Sequence, residues 1–237
     1  MPMGAVLSLF ERPHHSRIAS ILEALDAELL AACKCYFGGG TAIALRYSEF
    51  RESRGIDLIV SDRAGYGDLR ERVRRVGSIN ALTRTSITQL RPVRTDQYGI
   101  RTVVDADGAP IKLEIISEGR ITLDEPASDD VICGVRTLTP LDMATTKLLA
   151  NSDRWADRSV YSRDLIDLAM MDISQTLVDK AIAKAETAYR SSVIKDLTKS
   201  IRVLQEDPHR LDDCIRELHM TVPKAVLWAR IKRLSRG

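Results

Sequence analysis

Two acids stand where apolar residues are expected. Asp57 interrupts the run Ile56-Asp57-Leu58-Ile59-Val60, and Glu114 interrupts Lys112-Leu113-Glu114-Ile115-Ile116. Both runs are short and rich in β-branched and aliphatic side chains, so both read as buried strands. A carboxylate withdrawn from water is costly unless it is paired, hydrogen-bonded or bound to a cation. Taken alone, each acid is satisfied equally well by an ion pair with a neighbouring arginine. Two of them on separate strands suit a shared divalent ion, and Mg²⁺ is held by one or two carboxylates together with phosphate oxygens and water.

A second signal precedes the first acid. Gly38-Gly39-Gly40-Thr41 leads directly into the helical pattern Thr41 to Tyr47. Glycine lets a backbone approach a ligand closely, and a helix N-terminus offers free N–H groups and the positive end of a dipole. Together they suit a phosphate. Further charges come from Lys147, within Thr145-Thr146-Lys147-Leu148-Leu149-Ala150, and from Arg163, Asp164 and Asp167 in Ser162-Arg163-Asp164-Leu165-Ile166-Asp167-Leu168. Arg163 and Asp167 stand at i,i+4, so an intrahelical pair on a solvated face is the plain reading. Glycine at position 55, two residues before Asp57, shares its strand face.

The elements that must position these residues divide the chain. Residues 16–31 carry apolar side chains at helical spacing, with Ser16 as N-cap; Cys33 to Phe37 is a strand that places Cys33 and Cys35 on one face. Residues 66–76 form a basic helix with Arg70, Arg72, Arg74 and Arg75. Period-two alternation follows and predicts strands near 85–92, 98–105 and 110–116, with Asp105-Ala106-Asp107-Gly108 supplying a turn, and one more at 134–138. Thr139-Pro140 then opens a helix to about Ala150, with Asp142 placed for a capping-box contact. A helix over 159–171 and two or three more complete the chain. Residues 1–139 therefore read as a mixed α/β domain and 140–237 as an all-helical one.

Composition sets broad limits. The 237 residues give enough chain for a real core, and 44% hydrophobic with 29% charged residues is ordinary for a globular protein. The net charge of +2 makes no global case for nucleic acid, so any basic surface must be local. Four scattered cysteines without a Cys-x-x-Cys spacing read as reduced core thiols in a cytoplasm. His14-His15 reads as a solvated turn. No apolar run approaches the roughly 20 residues of a membrane span, and the first residues lack the basic region and cleavage site of a signal peptide.

In order along the chain, Gly-Gly-Thr-Ala (39–42), Ser53-x-x-Ile-Asp57-Leu, Lys-Leu-Glu114, Pro140-x-Asp-x-x-x-x-Lys147-Leu-x-Ala and Arg163-Asp164-x-x-Asp167-Leu resemble the nucleotidyltransferase toxins of the AbiEii/AbiGii abortive-infection family. That family is similar to the wider polymerase-β-like nucleotidyltransferases. The resemblance covers 37–170 and implies an α+β fold: a polymerase-β-like core, a mixed sheet flanked by helices, followed by an all-helical domain. By implication Gly39, Gly40, Thr41 and Ser53 hold a nucleoside triphosphate and Asp57 and Glu114 ligate Mg²⁺. Lys147 reaches toward phosphate, and Asp164 lines the same cleft. The implied reaction transfers a nucleoside monophosphate from NTP to an acceptor hydroxyl, with tRNA or another RNA as the expected acceptor and a cognate antitoxin as the expected partner. Basic clusters at Arg70–Arg75 and Lys224–Arg236 suit an RNA. The family strand reads Ser-x-Asp-h-Asp, whereas this chain has Ser53-Arg54-Gly55-Ile56-Asp57. The missing first acid leaves a second reading open: a weakened or degenerate nucleotide-binding or protein-interaction module.

Overall fold

In the computed structural model, described here for residues 10–235, a five-stranded mixed sheet carries the site. Its strands are β1 (Cys35–Gly38), β2 (Gly55–Val60), β3 (Arg94–Thr95), β4 (Gly99–Ala106) and β5 (Ala109–Ser117), in the order β1-β2-β5-β4-β3. β2 and β5 run parallel at its centre, and the other pairs are antiparallel. β6 (Val131–Ile132) and β7 (Val135–Arg136) form a small separate hairpin.

The alternation of side chains separates the sheet into two unlike faces. Ile56, Leu58, Val60, Ile100, Val104, Ile111, Leu113 and Ile115 point one way and are all buried. Asp57, Glu114, Arg101 and Arg94 point the other way, as successive partners in the strand register. A one-residue slip of any strand would exchange the two sets, so burial of the apolar face fixes where the acids stand.

The helices follow from caps and apolar stripes. α1 (Pro13–Ala24) and α2 (Ala27–Ala32) replace the single helix expected over 16–31. The break comes at Asp26, whose side chain accepts the Leu29 N–H and starts a new helix, while its own N–H bonds the Leu82 carbonyl. α1 begins at Pro13 after Arg12, so Ser16 lies within the helix rather than at its cap. Cys33 closes α2 and only Cys35 is in a strand, so the two thiols do not share a strand face. The four cysteines are free, and all but Cys133 are buried.

α3 (Gly39–Arg46) starts at the glycines, and α4 (Arg63–Val76) is capped by Asp62 and ended by Gly77 at φ 73°. The strand expected at 85–92 does not form. Gln89 makes one isolated bridge to Val104 in β4, and the short β3 after Pro92 takes the edge of the sheet instead.

α5 (Pro140–Arg154) begins as expected: Thr139 accepts the Asp142 N–H at 3.0 Å. α6 (Arg163–Met170) is shorter than the helix expected over 159–171. Tyr161 and Ser162, both at φ 50°, separate it from a 3₁₀ turn at Arg158–Val160. α7 (Gln175–Tyr189), α8 (Ser192–Glu206), α9 (Pro208–Glu217) and α10 (Lys224–Arg233) complete the helical part. All strands thus precede Thr139 and the structure after it is helical, while one contiguous apolar core runs through both parts. α3 packs against β2 on one side and against α5 and α6 on the other, which sets the glycine turn between the sheet and the helices.

Candidate active site

The register of β2 and β5 pairs Asp57 directly with Glu114. Neighbouring residues in register on adjacent strands share a face, so the two carboxylates lie side by side, not on opposite surfaces. Gly38 stands next in the same row, on β1. The chain then turns at Gly39, whose φ of 68° favours glycine, and a Cβ there would fall 2.2 Å from Asp57 Oδ2. The carboxylate of Asp57 therefore fills the space that a side chain at the start of α3 would need.

No hydrogen bond or ion pair engages Asp57 among the described residues. Burial pushes its carboxyl above the usual range; Lys147 opposes the shift and Glu114 adds to it. Glu114 is held differently. Lys112 Nζ lies 2.6 Å from one of its oxygens and Arg101 Nε 3.4 Å from the other.

Behind the glycine turn lies a buried ionic cluster. Lys147 Nζ sits 2.9 Å from Asp164 and 2.6 Å from Asp167. Arg154 grips Asp164 through Nε (2.6 Å) and Nη2 (2.9 Å), and Arg51 grips Asp167 through Nε (2.6 Å) and Nη2 (2.8 Å). Two planar forks thus close on two carboxylates, with Lys147 shared between them. Three cations face two acids, a surplus of one positive charge, and Lys147 and Arg51 both interact through space with Asp57. Burial alone would raise the Asp164 carboxyl; Lys147 and Arg154 outweigh it and hold the group well below the usual carboxylate range. In the same way Asp167 and Asp164 outweigh the burial of Lys147 and hold its ammonium above its ordinary value.

Asp167 therefore pairs across the structure with Arg51 and Lys147, not with Arg163 at i,i+4. Gly40 is shaped by the same cluster, because a Cβ there would fall 2.2 Å from Arg51 Nη2.

Thr41 and Ser53 serve the scaffold in this structure. The Thr41 hydroxyl bonds the Gly55 carbonyl and lies 2.8 Å from Ser53 Oγ, tying α3 to the start of β2. His15 braces the same segment. It is fully buried in α1, not solvated in a turn. Its Nε2 accepts the Ser53 N–H at 3.1 Å, so Nδ1 carries the proton and donates to Glu49 at 2.7 Å. Burial lowers its pKa.

Sequence reasoning missed Arg51, Arg154 and His15. Arg51 lay in the charged stretch Phe50-Arg51-Glu52-Ser53-Arg54, which looks like a loop. Its one legible signal was a hydrophobic neighbour, Phe50, which is itself buried. Glu52, the nearest substitute for a first strand acid, pairs with Arg54 at 2.7 Å.

The residues present fit a magnesium ion of the open kind. No group of three or more His, Cys, Asp or Glu side chains converges on one point among the described residues. A half-buried, unpartnered carboxylate beside a second one, next to a helix N-terminus, suits an ion that takes its other ligands from phosphate and water. A phosphate on the α3 amides would also meet Asp57, and a cation between them removes the repulsion.

The row of carboxylates, the glycine turn and the sheet order define a nucleotidyltransferase-type fold. Two solved structures share it: a Helicobacter pylori protein described as a candidate nucleotidyltransferase (TM-score 0.51, 18% identity, 93% of this chain and 92% of that one), and JHP933 from Helicobacter pylori (TM-score 0.51, 17% identity, 93% and 90%). No curated protein matches by sequence. The family model described as nucleotidyl transferase AbiEii toxin, Type IV TA system, matches residues 20–232, and the chain belongs to that family. Membership implies a nucleotide substrate and a cognate antitoxin. Among the described residues, no helix is long and apolar enough to cross a membrane.

The turn itself is open to test. Gly39→Ala is expected to strain the backbone by about 1–2 kcal/mol and to push Asp57 away from the α3 N-terminus. Nucleotide affinity, measured by calorimetry with Mg²⁺ present, should fall at least about tenfold. Unchanged affinity would mean that the turn does not face the ligand.

Proposed function

We propose that this chain transfers a nucleoside monophosphate from an NTP to an acceptor hydroxyl on RNA, with tRNA as one candidate, as the toxin of a toxin–antitoxin pair acting in the cytoplasm. The observation that carries the reading is the in-register pair Asp57 and Glu114 beside the glycine start of α3. Asp57 and Glu114 would hold Mg²⁺, which supplies charge neutralisation at the phosphates when bound. The amides at Gly39 and Gly40 face the triphosphate, while Thr41 and Ser53 keep that turn against β2. Lys147 brings positive charge to the oxygens that become more negative in the transition state, and Asp164 with Asp167 fixes where that charge stands. The acceptor hydroxyl loses its proton, its oxygen bonds the α-phosphorus, and the bond to pyrophosphate breaks. Incorporation of α-labelled NTP into RNA with Mg²⁺, and none with a chelator, is the expected result; no label in any RNA at any Mg²⁺ concentration would remove the reading.

A second reading, a nucleotide-binding or protein-interaction module with weakened catalysis, is favoured by Gly55. That glycine faces Lys112 across the parallel pair, and a Cβ there would meet only ordinary contacts, 3.5 Å to the Lys112 carbonyl. Its backbone needs no left-handed angle. Space therefore exists for an acid on the face of Asp57. Gly55→Asp is expected to lower the Mg²⁺ concentration at half-maximal incorporation and raise the rate if the wild type is limited by the missing carboxylate. A variant slower than wild type would show that the position serves substrate approach instead.

A further inference from the structure

One row of residues crosses the whole sheet: Gly38, Asp57, Glu114, Arg101 and Arg94, each the register partner of the next. Partners in register project from the same face, so the two arginines continue the line of the two carboxylates out to the sheet edge. At about 4.8 Å per strand the row runs roughly 14 Å from Asp57 to Arg94. Arg101 joins its two halves, with Nε 3.4 Å from Glu114 and Nη1 2.9 Å from Asp96.

The edge that the row reaches is strongly basic. Residues 63–101 contain nine arginines against Asp68, Glu71 and Asp96, a net +6 in a chain whose total is +2. α4 folds behind β3 and adds to this edge. Arg74 Nε bonds Thr95 Oγ1 at 3.1 Å, Tyr66 Oη bonds the Asp96 carbonyl at 2.6 Å, and Arg70 lies over the Tyr66 ring at 5.7 Å. Asp96 is the acid closest to the row, and it is occupied by the Tyr98 and Gly99 N–H groups and by Arg101. Arg70, Arg74, Arg91 and Arg94 make no ion pair among the described residues, and Arg91 and Arg94 are exposed. In the turn between β3 and β4, Tyr98 is 65% exposed, which leaves its ring open to solvent.

We infer that this edge is the track for the acceptor: a single-stranded stretch of RNA lies along Arg91, Arg94 and Arg101, stacks a base on Tyr98, and is led along the row to the carboxylates. This rests on the transferase reading above and adds to it the surface that binds the second substrate. Guanidinium groups suit phosphate oxygens through paired N–H donors, and an exposed ring beside them accepts a base of any sequence. An acidic protein would also meet the charge, but neither Tyr98 nor the continuity with the carboxylate row is needed for that.

The test uses the full chain and a labelled single-stranded oligoribonucleotide, with binding followed by fluorescence anisotropy and NTP binding followed separately by calorimetry. The double variant R91E/R94E and the single variant Y98A are each expected to weaken RNA binding at least about tenfold, with NTP affinity and melting temperature unchanged. The double variant should also show a smaller dependence of affinity on salt, since each lost phosphate contact removes about 0.7 from the slope. K232E, the same kind of charge reversal on exposed Lys232 of α10, is the control and should leave RNA binding within about twofold. Retained RNA affinity in R91E/R94E with normal incorporation by the wild type would overturn the track and leave the transferase reading standing. Loss with K232E but not with R91E/R94E would move the acceptor to α10 and also overturn it. A wild type that incorporates no label and binds no RNA would overturn both. Loss of a protein antitoxin with RNA binding intact would make the edge a protein interface and overturn the track alone.

Discussion

Asp57→Asn is expected to make the nucleotide-free protein more stable while removing its transferase activity. Asp57 is a half-buried carboxylate that no described residue pairs, and its carboxyl is pushed up by burial. The folded state therefore holds the Asp57 proton more tightly than the unfolded chain, whose carboxyl titrates near 3.9. Below about pH 4 both states are protonated and the group has no effect on stability. As pH rises from there, folding progressively loses stability until the pH passes the raised folded value. Asparagine has no such titration. The melting temperature of the variant should exceed that of wild type by a few degrees at pH 7, at about 2–4 °C per kcal/mol for a chain of this size, and the gap should shrink as pH falls toward 4. Activity should drop at least about 100-fold.

Magnesium separates this explanation from a packing effect. The ion should raise the melting temperature of wild type in the presence of NTP, because it binds only the folded state. It should leave Asp57→Asn where it was. If the variant melts below wild type at pH 7, Asp57 is not an uncompensated charge, and a partner other than a cation holds it in place.

What the sequence made legible was the part carried by local pattern. An acid within a five-residue aliphatic run can be read without any structure, and two of them identified both central strands. Thr139-Pro140 and Asp142 marked the start of α5 because a cap is a contact between residues three apart. The failures share a cause: each depended on a distant partner. Residues 85–92 alternate like a strand, yet they meet β4 only through the Gln89–Val104 bridge and the bonds beside it at Thr88, Leu90 and Arg91, and the rest of that edge goes to Arg94 and Thr95. His15 looked like a polar turn because Glu49 and Ser53, which make its burial tolerable, lie more than 30 residues away. Arg163 and Asp167 have the spacing of a surface pair, but Arg51, 116 residues from Asp167, takes the carboxylate inside. No periodicity reports a fork of that kind, and so the ionic cluster behind the glycine turn was only half visible.

That cluster sets the second large expectation, a contrast between Lys147→Met and Arg51→Met. Removing Lys147 leaves two complete Arg–Asp forks, Arg51 with Asp167 and Arg154 with Asp164, each still bidentate. The cluster then has as many cations as acids, so the protein should remain folded. What disappears is the surplus charge and its interaction with Asp57. Incorporation should fall at least about 100-fold, with a weaker hold on NTP. The acid limb of the stability curve should move as well. Asp164 contributes stability that is fully present above its unfolded value near 3.9 and lost as pH falls through its depressed folded value. Lys147 is the foremost of the charges that depress it, so without Lys147 the folded value rises, the contribution of Asp164 is smaller, and its loss is complete at a higher pH. Arg51→Met acts on the same cluster and should behave oppositely. Its side chain is 4% exposed and its fork holds a fully buried Asp167. Breaking that pair strands a charge that Lys147 alone must satisfy, at a cost of about 3–5 kcal/mol, visible as an early midpoint in urea. Should Lys147→Met unfold the protein as readily as Arg51→Met, or turn over at the wild-type rate, Lys147 is a structural counter-ion and its charge does not serve the phosphates.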